Sequence, residues 1–308
     1  MSHLLLHTIG RTPLIELKRL SPKPEIRLFA KLEGQNPSGS VKDRVALALV
    51  ESLEARHPLA PGDTLIEAST GNTAIALAMV ARQRGYHLKV VIPHGVVPSI
   101  ADILGLYGVE IVWVRPKAGM GGAIDEARRL AAEHGWYAVD QFDNPVNAST
   151  HYRTTGGEIA RALPNTDVFV AGIGTGGTLM GVGRRLRELN PSVKLIGVEP
   201  RLGECLQGLR SLEEGFRPPL LDLDLLNGRF LVPSDRAIEA ANRIIREEGI
   251  MAGVSSGATL FAALRVAERM ERGNIVMMFS DGGWKYLPSR PWDAARRGEA
   301  CLDETHWW

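Results

Sequence analysis

Residues 168–183 read VFVAGIGTGGTLMGVG: a short β-branched and aromatic run, a glycine loop, then residues at helical spacing. Strand, turn and helix in that order are one unit of an α/β layer. The rest of the chain repeats the rhythm. Apolar runs rich in Val and Ile at 26–32, 64–68, 88–93, 109–114, 195–199 and 275–279 alternate with helical-period segments at 73–84, 123–133, 181–190, 235–248 and 258–272. This predicts parallel sheets flanked by helices.

With 308 residues, 44% hydrophobic and 23% charged, the chain suits two modest domains or one large one. Lys plus Arg, 36 in all, nearly cancels 35 Asp plus Glu, so no net basic field draws nucleic acid or an anionic membrane surface. A small-molecule substrate is expected instead. Cys205 and Cys301 stand far apart in no CxxC or Cys/His cluster, which supports neither zinc nor a disulfide framework, and no metal is expected. The first residues, MSHLLLHTIGRTPLIEL, lack a basic region and cleavage site, and no segment is apolar enough to span a bilayer, so the cytoplasm is the expected location. The rhythm breaks at 141–149, QFDNPVNAS, read as a Pro/Asn loop that divides residues 1–145 from 146–308. The active site is then expected in the cleft between the two halves. A second irregular stretch, 202–226, is long, charged and Pro-containing.

Four glycine- and hydroxyl-rich turns adjoin these strands. In NPSGSVKDR, 36–44, Ser40 followed by Asp43 has the form of a capping box, which puts Lys42 in the first turn of a helix. There the positive end of the helix dipole disfavours the ammonium and eases access to a nucleophilic amine; a lone surface lysine is the plain alternative. In EASTGNTAIALA, 67–78, Ser69, Thr70 and Thr73 flank Asn72 at a helix start, a setting that suits a carboxylate. In 174–178, GTGGT, several N–H groups converge at a helix N-terminus and suit a phosphate. The same loop fits G-x-G-x-x-G through Gly172, Gly174 and Gly177, with Glu199 about where a dinucleotide fold places its ribose acid, so NAD binding stands beside the phosphate reading. In GVSSGATL, 253–260, Ser255 and Ser256 open a helix as neutral hydrogen-bonding groups or simple caps.

The ordered set KLEGQNPSGSVKDR, STGNT, QFDNP, HYRTTGGE, GTGGT, GVSSGA and DGGWKYL resembles the cysteine synthase (O-acetylserine sulfhydrylase) branch of the fold-type II pyridoxal-phosphate enzymes, and within it the B-type, CysM-like enzymes. The resemblance runs from about Thr8 to Leu287 and makes NAD a remote alternative. It implies two doubly wound α/β domains with the active site between them, residues of about 8–35 being able to cross to the second domain. It implies pyridoxal 5'-phosphate as cofactor, with Lys42 as its Schiff-base lysine, Asn72 at the ring hydroxyl, Gly174, Thr175, Gly176, Gly177 and Thr178 around the phosphate, and Ser255 at the pyridine nitrogen. Ser69, Thr70, Thr73 and Gln141 would bind the substrate carboxylate. Two departures stand out. The family commonly reads TSGNTG where this chain has Ser69-Thr70-Gly71-Asn72-Thr73-Ala74, and 94–102, HGVVPSIAD, lacks the usual Ser followed by Glu-Arg.

The implied reaction is β-replacement on O-acetyl-L-serine through an aminoacrylate, with sulfide or another sulfur donor, giving cysteine. Arg210 in GLRSLEEGF offers a guanidinium for the leaving group of O-phospho-L-serine, against a surface ion pair with Glu213 or Glu214 as its plain role. Sister activities of the cystathionine β-synthase or serine dehydratase type are the alternatives within the enzyme class. A weakly catalytic docking scaffold is the alternative outside it, on the strength of the terminal DETHWW, whose Trp307 and Trp308 are also read as a lid over the active-site mouth. The family implies a homodimer.

Overall fold

The computed structural model describes residues 4–93, 98–115, 119–204 and 206–289. Cys205, Cys301, Trp307, Trp308 and the 94–97 part of HGVVPSIAD lie outside them. The chain opens with β1 (Leu14–Glu16) and β2 (Ile26–Leu32) and enters α1 (Lys42–Arg56). There follow β3 (Thr64–Ala68), α2 (Asn72–Arg84), β4 (His87–Pro93), α3 (Pro98–Leu106), β5 (Glu110–Val114), α4 (Gly119–His134) and β6 (Tyr137–Ala138). The remainder runs α5 (Val146–His151), one π-helical turn (Tyr152–Gly156), α6 (Gly157–Ala162), β7 (Val168–Gly172), α7 (Gly177–Leu189), β8 (Lys194–Pro200), β9 (Gly228–Val232), α8 (Ser234–Glu248), α9 (Val254–Glu268) and β10 (Gly273–Phe279).

These strands form two sheets, one of four strands ordered β5-β4-β3-β6 and one of six ordered β1-β2-β10-β7-β8-β9. All pairs are parallel except β1 with β2. The strands read as continuous apolar runs because both faces are covered. In β10, Ile275, Met277 and Phe279 enter the core with α8 and α9, whereas Val276 and Met278 enter the core beneath α7. In β3, Leu65 packs towards α1 and α2 and Ile66 towards α4. The fold is therefore doubly wound α/β in both sheets.

Some elements differ from the sequence reading. The second part of 141–149 is helix, not loop: Asn144 Oδ1 accepts the Val146 N–H at 3.0 Å and α5 starts there. β9 alternates half-buried and exposed side chains at a sheet edge, a pattern too short to read unaided. α3 begins on a proline, whose fixed φ suits a first helical position. Among the described residues, no helix is long and apolar enough to cross a membrane.

The segments that leave the carboxyl ends of β3, β7 and β10 meet the starts of α1, α2 and α9 around one cleft, with about 1150 Å³ of open space including its mouth. Ligands of open α/β sheets bind in such places.

Candidate active site

Lys42 is the first residue of α1 and lines the cleft. The capping box expected around it does not form. Val41 is the cap residue, in helical conformation and with no side-chain cap bond. Asp43 turns back instead to Ser38, accepting its N–H at 2.6 Å and its hydroxyl proton. Ser40 is held in an isolated bridge to Asp281, and Val41 N–H donates to Ser280 O at 2.8 Å, so the helix start is pinned to the end of β10. Burial lowers the Lys42 pKa to about 8, and the Asp281 carboxylate opposes the shift. Desolvation is thus the leading cause, where the sequence had suggested the helix dipole.

The loop after β3 carries Ser69 to Thr73, all lining the cleft. Ser69 Oγ accepts from Ala74 N at 3.2 Å and Gly71 N at 3.4 Å, which steadies the start of α2 and leaves the hydroxyl proton free to donate. Thr73 Oγ1 donates to Gln141 Oε1 at 2.6 Å, and Gln141 Nε2 donates to Ala68 O at 3.1 Å. Ser69, Thr70, Thr73 and Gln141 therefore share one wall, with Gln141 locked to the loop through both ends of its amide.

Across the cleft, Gly174, Thr175, Gly176 and Thr178 line the junction of β7 and α7. Gly176 has φ +84°, and a Cβ there would lie 2.9–3.1 Å from Leu221. A Cβ on Gly177 would fall 2.0 Å from Asn147 Oδ1. Asn147, buried in α5, donates to Thr175 Oγ1 at 3.0 Å and to Gln141 O at 2.9 Å, and so joins this loop to the opposite wall. Thr178 Oγ1 lies 3.3 Å from His151 Nε2. Burial, with Lys42 and Arg44 nearby, holds His151 well below its usual pKa and hence neutral. The dinucleotide reading fails at Glu199. That carboxylate has 0% exposure and is taken by Leu212 N–H at 2.7 Å and Arg229 at 2.9 Å, away from the cleft.

Ser255 is the second residue of α9 and lines the cleft; the cap of that helix is Gly253, so neither Ser255 nor Ser256 is the N-cap. Arg210 also lines the cleft at 7% exposure, its guanidinium 5.5 Å from the Phe142 ring centroid and 5.3 Å from that of Phe216. It is thus buried among aromatic faces, not set on a charged surface.

Residues the motifs did not single out complete the site. Asn72 Nδ2 donates to Asp281 Oδ2 at 2.7 Å, Lys285 Nζ donates to Asn72 Oδ1 at 2.6 Å, and the Tyr286 hydroxyl donates to Asp281. Asp281, Lys285 and Tyr286 fall in SDGGWKYL, a stretch whose only signal was the match of its pattern.

With strands, cradle and buried lysine in place, the class is defined. The chain belongs to the pyridoxal-phosphate dependent enzyme family, whose model matches residues 5–281. Among its relatives, "Cysteine synthase B" of Pseudomonas aeruginosa is 40% identical over 286 residues, covering 92% of this chain and 96% of the relative. "Cysteine synthase" of Staphylococcus aureus is 38% identical over 289 residues, covering 91% and 93%. Among solved structures, an O-ureido-L-serine synthase superposes with TM-score 0.89 at 38% identity, covering 96% of each chain. A cysteine synthase from Entamoeba histolytica gives 0.86 at 32%, covering 95% of this chain and 91% of that one. The residues present fit a phosphate-bearing aldehyde cofactor. Gly176 and Gly177, packed against Leu221 and Asn147, hold a tight turn at a helix N-terminus, whose backbone N–H groups suit a phosphate, and a lysine of lowered pKa faces the same cleft.

Proposed function

We propose that the protein is a cysteine synthase, replacing the acetoxy group of O-acetyl-L-serine by sulfide to give L-cysteine and acetate. The observation that carries this reading is Lys42, an amine with pKa about 8 at a cleft walled by a hydroxyl loop and a glycine cradle. Relatives named cysteine synthase over more than nine-tenths of the chain support it.

When bound, pyridoxal 5'-phosphate supplies an aldehyde for amino groups and a conjugated ring that draws electrons from the substrate's Cα. Gly174, Thr175, Gly176, Gly177 and Thr178 would hold its phosphate, Asn72 would meet its ring hydroxyl and Ser255 its ring nitrogen. Ser69, Thr70, Thr73 and Gln141 bind the substrate carboxylate and turn the Cα–H towards Lys42. With its pKa near working pH, Lys42 Nζ takes the α-proton as general base. Ser255 would offer the ring nitrogen an uncharged hydroxyl in place of a carboxylate. Arg210 faces the leaving group, and its fixed charge extends the substrate range to O-phospho-L-serine. The enzyme is read as a homodimer of the cytoplasm, and sedimentation of the purified protein tests the dimer.

The deciding experiment compares kcat/KM for O-acetylserine and O-phosphoserine, each with sulfide and with thiosulfate. Cysteine formed from O-acetylserine and sulfide is the expected result, and its absence overturns the reading. The likeness to an O-ureido-L-serine synthase favours one second reading, the same β-replacement with a hydroxyurea nucleophile. Adding that nucleophile to the comparison decides between them.

A further inference from the structure

We propose that Glu67 is a positioning residue whose ionised carboxylate ties Gln141 to the 69–73 loop and so sets the grip of the cleft on the substrate's α-carboxylate. This rests on the amino-acid reading above. Glu67 lies on β3 at 2% exposure and is not among the residues lining the cleft. Its Oε1 accepts the Ala68 N–H at 2.9 Å, where the chain leaves β3 for the hydroxyl loop. Its Oε2 accepts the Gln141 N–H at 3.1 Å, where the chain leaves β6. The backbone ladder between these strands is short, with partners Leu65↔Tyr137 and Ile66↔Ala138 and a last bond from Val139 N to Ile66 O at 3.0 Å. Beyond that point the side chain of Glu67 takes the place of the next rung.

The tie needs both carboxylate oxygens as acceptors. A protonated carboxyl accepts only weakly through its hydroxyl oxygen, and an amide turns its own N–H towards one of the two donors, so either form pairs one N–H poorly in a dry place. The ionised form is itself opposed there, so the full tie forms at alkaline pH. Burial raises the Glu67 pKa to about 8, with Asp140 adding to the rise and the bonds from Gln141 and Ala68 restraining it. Asp140 in turn is paired with Arg128 of α4 at 2.8 Å. Gln141 is fastened by its side chain to Thr73 and to Ala68, the residue before Ser69, so any slackening at Glu67 reaches both ends of the loop.

The test titrates the cofactor-loaded enzyme at about pH 9, where Glu67 is ionised, with L-serine and with serinol, the same amine without a carboxylate, following the cofactor's visible absorbance. Wild type binds L-serine in preference to serinol. Glu67→Gln, which offers one acceptor to two N–H groups, narrows that preference about tenfold and leaves serinol affinity within about twofold. Equal weakening of both ligands with a lowered Tm marks a purely structural role and overturns the proposal. Glu67→Asp keeps the charge but withdraws it by a methylene, and narrows the preference about threefold. If Glu67→Gln does not fold, an unchanged preference in Glu67→Asp overturns the proposal instead. Where neither ligand perturbs wild type, the amino-acid reading fails and this inference with it. Where wild type and Glu67→Gln show one and the same preference, only the role of Glu67 fails.

Discussion

Burial lowers the pKa of two lysines at the site, Lys42 and Lys285, but their partners differ. Lys285 is spent on Asn72, whereas Lys42 opens on the cleft. Borohydride reduction of the loaded protein followed by peptide mapping should therefore label Lys42, and label on Lys285 would reverse the assignment. Lys42→Ala should lower kcat/KM by at least about a thousandfold, because nucleophile and base are lost together. Ser255→Asp should keep the cofactor bound, change its spectrum and slow turnover, since an anion at the ring nitrogen would hold it protonated. Full activity with an unchanged spectrum would return Ser255 to a packing role. For Arg210→Ala, kcat/KM for O-phosphoserine should fall about tenfold more than for O-acetylserine, about 1.4 kcal/mol of differential binding. Equal falls would leave Arg210 structural. Lys42 and the 174–178 loop were legible because a few adjacent residues carry their signal. Asp281 and Lys285 were not, because they meet Asn72 across 209 and 213 residues of chain. Nor could Ser40 and Asp43 reveal that Ser38 would capture the Asp43 carboxylate.

Among the elements, the β7–α7 junction depends on contacts that glycine alone allows. Gly177→Ala would drive a methyl into Asn147 and loosen Thr175, so cofactor affinity, measured by equilibrium dialysis, should fall more than about tenfold. Gly105→Ala in α3, where a Cβ meets nothing within 4 Å, should instead raise stability by about 0.5–1 kcal/mol. A second joint lies behind Lys42. Arg44 of α1 binds Glu33 at 2.7 Å and Glu158 of α6 at 2.7 Å, and Lys31 of β2 reaches Glu158 at 2.6 Å. Burial opposes the charge on Glu158, but hydrogen bonds from Arg44 and Lys31 outweigh it and bring its pKa to about 2. A carboxylate depressed in the folded state adds stability above its unfolded pKa and gives it up as pH falls through the folded one. Part of the acid loss of Tm between the ordinary Glu pKa and pH 2 should therefore vanish in Glu158→Gln. That variant should also be about 3 kcal/mol less stable at neutral pH. Strands buried on both faces were readable from their apolar runs. β9 at a sheet edge and the π-helical turn were not, because neither leaves a periodic trace of its own.

At the level of the molecule, alternating strands and helices made the doubly wound α/β class legible, but not the order of the strands. No local pattern tells β10 that it belongs between β2 and β7. That placement also bears on the order of assembly as the chain is synthesised. The four-stranded sheet draws on β3 to β6, one contiguous stretch, and can pair as soon as that stretch has left the ribosome. β2 is made earlier still, yet its parallel partner is the last strand described, so it waits unpaired on that side until Gly273 and its successors emerge. The end of that same strand pins Val41, one residue before Lys42. The lysine thus gains its buried setting only after β10 has been made and paired, so the cleft it lines is completed by the closing of the larger sheet.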